Sequence, residues 1–170
     1  MNSATHPLLR LAACVTLAAA TLASVSSLEA RERTRTRTAT RTNAAGETAT
    51  RVQSLTRDRE ARSTHAQSAT TLPDGRTAGR TLGTAATDQG RSTTASATTF
   101  NGRTATYQSD RVDTATGHTR QASATGLNGQ TVTKDVTVTK TPDGGTRTTT
   151  VTGPQGATST KTSTVTRAAP

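Results

Sequence analysis

Gly75, Gly102, Gly129 and Gly156 recur at an interval of 27 residues, and Gly90, Gly117 and Gly144 keep the same interval among themselves. A fixed period of this size means one supersecondary unit copied and laid against its neighbours, so the fold is read at the level of the unit. The two glycine sets alternate 15 and 12 residues apart, which leaves room for a strand between successive turns. Asp74, Asn101, Asn128 and Gln155 stand just before the first set. Asp-Gly and Asn-Gly pairs favour the primed turns of β-hairpins, because these residues tolerate positive φ. Threonine fills further columns of the repeat: Thr71, Thr98, Thr125 and Thr152; Thr77, Thr104, Thr131 and Thr158; and Thr87, Thr114 and Thr141.

Between the turns the pattern has period two, which indicates strand. Val132, Val136 and Val138 fall on one side, and Thr131, Thr133, Thr137 and Thr139 on the other. Thr and Val are β-branched and suit a pleated surface. The expectation is a mostly β chain of about four degenerate 27-residue hairpin repeats over residues 69–170, forming an extended sheet or a solenoid-like array. Only eleven large apolar residues lie between Gln67 and Pro170, too few for a compact core. Such strands are expected to be partly ordered alone, or to order by stacking on other copies or a surface.

Residues 31–68 differ in composition. Nine Arg against four acids precede Ser68, and few large apolar residues interrupt them. Arg31, Arg33, Arg35 and Arg37 alternate with Thr34, Thr36 and Thr38, so an extended backbone would place all Arg on one side and all Thr on the other. A stretch so polar has little surface to bury and is expected to form a disordered basic arm. A short helix between Glu47 and Arg62, around Val52 and Leu55, is a further expectation.

Residues 1–30 have the layout of a secretory signal peptide: Arg10 in a short basic start, an apolar run from Leu11 to Val25, and small residues from Ser27 to Ala30. Cleavage is expected after Ala30, with Ser27 and Ala23 as alternatives. The run is shorter than the ~18 residues of a spanning helix. Leu11 to Cys14 resembles the lipobox of bacterial lipoproteins, but the apolar run follows the match instead of ending at it. Cys14 therefore reads as an ordinary signal-peptide residue, with lipidation as the alternative. Removal of the segment would leave no cysteine.

Arg10 and Glu29 cancel, so the chain beyond residue 30 keeps the whole net charge of +10. Anions are its natural partners: lipopolysaccharide, anionic polysaccharide or extracellular nucleic acid, bound without sequence preference. The simpler reading of the charge is that it keeps a β-rich chain soluble. The polyanion-binding candidates are Arg31, Arg33, Arg35, Arg37 and Arg41. Stacking aromatics that usually accompany single-strand binding are limited to Phe100 and Tyr107.

No HExxH, paired cysteines, phosphate loop or nucleophile elbow occurs, so no enzyme activity, cofactor or small-molecule substrate is expected. Asp74, Asp88 and Asp143 read as turn residues. The Asp-Gly-Arg and Asn-Gly-Arg turns at Asp74 and Asn101 resemble the YD repeats of Rhs-type toxin shells, whose tyrosine columns are absent here. The turns at Thr125 to Gly129 and Thr152 to Gly156 resemble those of small exported proteobacterial Thr/Gly-rich repeat proteins, over about residues 69–167. That resemblance implies export and implies no activity.

The functional expectation is an exported, non-enzymatic envelope or extracellular protein that binds anionic surface polymer. Self-association into cross-β fibres is the alternative, favoured by stackable Thr strands and opposed by net charge. A third reading is ice binding, since Thr-x-Thr arrays resemble the flat ladders of β-solenoid ice-binding proteins. Lys134, Lys140 and Lys161 are expected to interrupt those ladders.

Overall fold

Alternation of β-branched with other residues, punctuated by turns, produces ten antiparallel strands and no helix among the described residues. The computed structural model describes residues 32–167. The segment expected to be a signal peptide, the expected cleavage site, Cys14 and Arg31 lie outside them. The strands are β1 (Glu32–Thr42), β2 (Thr48–Asp58), β3 (Ser63–Thr71), β4 (Thr77–Thr87), β5 (Gly90–Thr98), β6 (Thr104–Thr114), β7 (Gly117–Thr125), β8 (Thr131–Thr141), β9 (Gly144–Thr152) and β10 (Thr158–Thr166). They pair in chain order as one open sheet, with β1 and β10 as its two edges. The array is thus a meander and not a solenoid.

The segment expected to be a disordered arm is a correction. Residues 32–68 form β1, β2 and most of β3, and the helix expected between Glu47 and Arg62 is strand β2 followed by a turn. Composition counts only what a segment can bury by itself. Here each strand is hydrogen-bonded to the next, and Thr34 and Thr56 add a side-chain bond of 2.9 Å across β1 and β2. The repeat therefore begins one unit earlier than the glycine interval suggests. Gly46 opens that unit, 29 residues before Gly75, because the turn at residues 59–62 is two residues longer than its later counterparts.

The two glycine sets mark opposite ends of the sheet and are required for different reasons. Gly46, Gly75, Gly102, Gly129 and Gly156 all have φ between 74° and 82°. Each closes a turn in which its N–H donates to the residue three before it, as Gly75 to the Leu72 carbonyl at 3.0 Å, while Leu72 N–H donates to Arg76 at 2.9 Å. Asp74, Asn101 and Asn128 keep negative φ. The expected primed turn is therefore replaced by a three-residue loop whose glycine sits in the left-handed region, as in a type I turn with a glycine bulge. Asp74 stays in the loop as an acceptor, its Oδ1 taking the Arg76 N–H at 3.0 Å and its Oδ2 the Arg76 Nε–H at 2.6 Å. The backbone N–H and then the side chain of Arg76 hold the Asp74 carboxyl below its ordinary pKa. A Cβ at Gly75 would meet open space. Gly75→Ala should therefore cost only the backbone term, about 1 kcal/mol, measurable by chemical denaturation.

Gly90, Gly117 and Gly144 follow the two-residue turns, where the neighbouring strand comes closest. Gln89, Thr116 and Asp143 accept backbone hydrogen bonds from Asp113, Lys140 and Arg167 at 2.6, 2.6 and 2.8 Å. A Cβ on any of the three glycines would overlap a backbone carbonyl oxygen, that of Arg111, Val138 or Val165 respectively. In the first unit Ser63 occupies this position after a four-residue turn with Arg62 at φ 48°, and the corresponding bond, from Ala86 N–H to the Arg62 carbonyl, is longer at 3.2 Å.

Threonine columns at the ends of strands are the closing pairs of these hairpins. Thr42 and Thr48, Thr98 and Thr104, Thr125 and Thr131, and Thr152 and Thr158 bond hydroxyl to hydroxyl at 3.0, 3.1, 2.8 and 3.4 Å. The sheet has almost no interior. Val136 and Ser109 are the buried residues among those described.

Candidate polyanion-binding face

Strand registers decide which side chains share a face, since partners across a ladder point the same way. Arg33, Arg35, Arg37 and Arg41 of β1 lie on one face, opposite Glu32 and the β1 threonines. Registers carry the same face across the sheet through Arg51 and Arg57 of β2, Arg80 of β4, Arg91 of β5, Arg111 of β6 and Arg120 of β7. Lys134 and Lys140 of β8, Arg147 of β9 and Lys161 of β10 complete it. These are all fourteen Lys and Arg residues of the ten strands, and Asp113 is the one acid among them.

The other face carries no Lys or Arg. It holds Glu32, Asp58, Asp110 and Asp135 with nearly all strand threonines, the exceptions being Thr64, Thr70, Thr84, Thr93 and Thr149. The lysines expected to interrupt the threonine ladders therefore lie behind them. Thr148 and Thr162, and Thr150 and Thr160, bond across β9 and β10 at 3.4 and 3.1 Å without interruption. The alternation visible in residues 31–38 is thus a property of the whole sheet. Ten of the fourteen cations escaped the sequence reading, although strand parity counted from each turn glycine would have found them.

Within the cationic face, like charges meet directly. Arg33 is opposite Arg57, and Arg91, Arg111 and Arg120 follow one another in register on β5, β6 and β7. Like charges in directly opposed positions destabilise a sheet. Partial relief comes from Asp113, whose Oδ1 accepts from Arg111 at 2.8 Å. Arg120 is held by donating from Nε to Ser109 Oγ at 2.7 Å and from Nη2 to Tyr107 Oη at 2.6 Å. Arg51 similarly donates to Ser68 Oγ at 3.3 Å. These guanidinium groups are positioned by neutral partners and keep their charge available.

A second row on this face is apolar. Leu55, Ala66, Leu82, Ala95, Tyr107, Ala124 and Val132 pair successively from β2 to β8, beginning beside Arg35. Hollows of about 860 and 540 Å³ open along it, the first reaching Arg35, Arg37 and Arg80 and the second Arg120, Lys134 and Arg147. Tyr107 borders both. A third hollow of about 680 Å³ lies over β8 to β10, with Lys134, Lys140 and Lys161 around Val138, Val151 and Val165.

His65 and His118 lie on opposite faces, on β3 and β7. Among the described residues, no three of His, Cys, Asp and Glu come together as a metal-binding group. What the arrangement offers chemically is a broad array of fixed positive charge with an apolar stripe. No protein-family model, curated protein or solved structure matches this chain.

Proposed function

We propose that this is an exported, non-enzymatic protein that binds anionic surface polymer, such as lipopolysaccharide, acidic polysaccharide or extracellular nucleic acid, on its cationic face. The observation that carries this reading is the sorting of every strand Lys and Arg onto one side. Solubility alone needs net charge and is indifferent to which face bears it. The opposed arginines point the same way, because repulsion in the free sheet becomes attraction once an anion lies between them.

A polyanion neutralising six or more of these charges releases the corresponding counterions. Affinity for long-chain polyphosphate should then fall by about a thousandfold between 50 and 200 mM salt, measured by fluorescence titration. Absent or salt-insensitive binding would reject the proposal.

Self-assembly is the second reading, favoured by the unpaired edges of β1 and β10. Rising salt separates the two, since screening promotes sedimentable fibres and suppresses polyanion binding. The uninterrupted threonine ranks of β9 and β10 favour the ice-binding reading, which a null thermal-hysteresis measurement would dismiss.

A further inference from the structure

The apolar row runs counter to the repeat that generates it. Successive hairpins are staggered: Thr98 pairs with both Gly79 and Thr104, so Thr104, the equivalent of Thr77, sits two residues further along the sheet. Side chains at equivalent repeat positions therefore drift by two residues per hairpin, roughly 7 Å. Leu55, Leu82, Tyr107 and Val132 do not occupy equivalent positions. They stand nine, seven, five and three residues after Gly46, Gly75, Gly102 and Gly129. The large side chain steps back by two in every copy and cancels the stagger, which holds the four in one line perpendicular to the strands. Duplication alone would have carried them apart.

We infer that this line is the seat of a fatty acyl chain whose anionic headgroup is held by the flanking arginines, so that the preferred ligand is an anionic single-chain amphiphile. The inference rests on the reading of this face as an anion receptor and narrows it to acylated anions. From Leu55 on β2 to Val132 on β8 the row crosses six strand spacings, about 29 Å. One leaflet of a bilayer's hydrocarbon core is about 15 Å deep, so an extended acyl chain fits along the row with length to spare. Charge complementarity selects the class. Cations border the hollows at both ends of the row, Arg35 and Arg80 at one and Arg120 and Lys134 at the other. A second copy presenting this same face would bring cations against cations, and an uncharged lipid would leave them unmatched.

The test uses sodium laurate below its micelle concentration, with acetate, methyl laurate and long-chain polyphosphate as comparisons, titrated into the full chain. Leu82 and Val132 are 46% and 37% exposed, and Val52 and Val112, both 40% exposed, lie on the threonine face as matched controls. Polar replacement is tolerated at such exposure, and circular dichroism verifies the sheet in each variant.

Laurate should bind at least about tenfold more tightly than acetate or methyl laurate. The pair Leu82→Gln and Val132→Gln should lose about tenfold or more of that affinity and leave polyphosphate binding unchanged. The pair Val52→Gln and Val112→Gln should change neither. Laurate binding no better than acetate, or equal losses in the two pairs, overturns the inference. Polyphosphate binding separates the two claims: if it persists with its salt dependence while laurate fails, only the acyl seat is lost. If polyphosphate fails, the anion-receptor reading falls with it.

Discussion

Gly117→Ala splits the sheet. The new Cβ overlaps the carbonyl oxygen of Val138, a backbone atom of the adjoining strand that no rotamer change can move. Retreat of β8 would break the Lys140 N–H bond to the Thr116 carbonyl, now 2.6 Å, and the pairs beyond it. The expected cost is about 3 kcal/mol or more, several times that of Gly75→Ala, where only φ is at issue. Each strand contacts only its sequence neighbours, so stability is carried by nearest-neighbour terms and the damage should stay local. Hydrogen exchange should show β8, β9 and β10 losing protection while β2 to β5 retain theirs. Wild-type stability in Gly117→Ala would mean that the close approach of these backbones is not a feature of the protein in solution.

The second large effect concerns where charge sits. Replacing Arg33, Arg35, Arg37 and Arg41 by Gln removes four cations from one edge of the cationic face, whereas replacing Arg59, Arg62, Arg76 and Arg103 removes four from turns. Net charge changes equally in the two variants. A basic residue near an anionic surface contributes about 1 kcal/mol, so the strand variant should bind polyphosphate roughly a thousandfold more weakly. Its slope of log affinity against log salt should shrink by about 3. The turn variant should lose much less, because its charges sit in turns at the strand ends and not in the rows of the cationic face. Sheet content should survive in the strand variant, since loss of the Arg33 and Arg57 opposition removes a repulsion. Equal weakening in both variants would show that overall charge, and not its placement, governs binding.

Much of this was legible in the chain itself. The 27-residue glycine interval located the turns, and the alternation of Val132, Val136 and Val138 with threonine identified strands. The Arg and Thr alternation of residues 31–38 already contained the two-faced character of the sheet in miniature. The same residues misled on order, because a polar segment was weighed by its own burial. Pairing on β2 and β3 supplies hydrogen bonds and threonine contacts that composition does not count. The glycine at 117 was recognised as a turn marker, yet the reason it must be glycine lies in Val138, 21 residues away.

Period and parity belong to the sequence: they decided that the chain is β, where it bends and which residues alternate, because backbone sterics act on neighbours. Register belongs to the tertiary structure. The two-residue stagger between hairpins decides which residues of different strands stand in the same row, and it draws Leu55, Leu82, Tyr107 and Val132 into one line. Those residues are far apart in the chain, and only the hydrogen-bond ladder sets their distance.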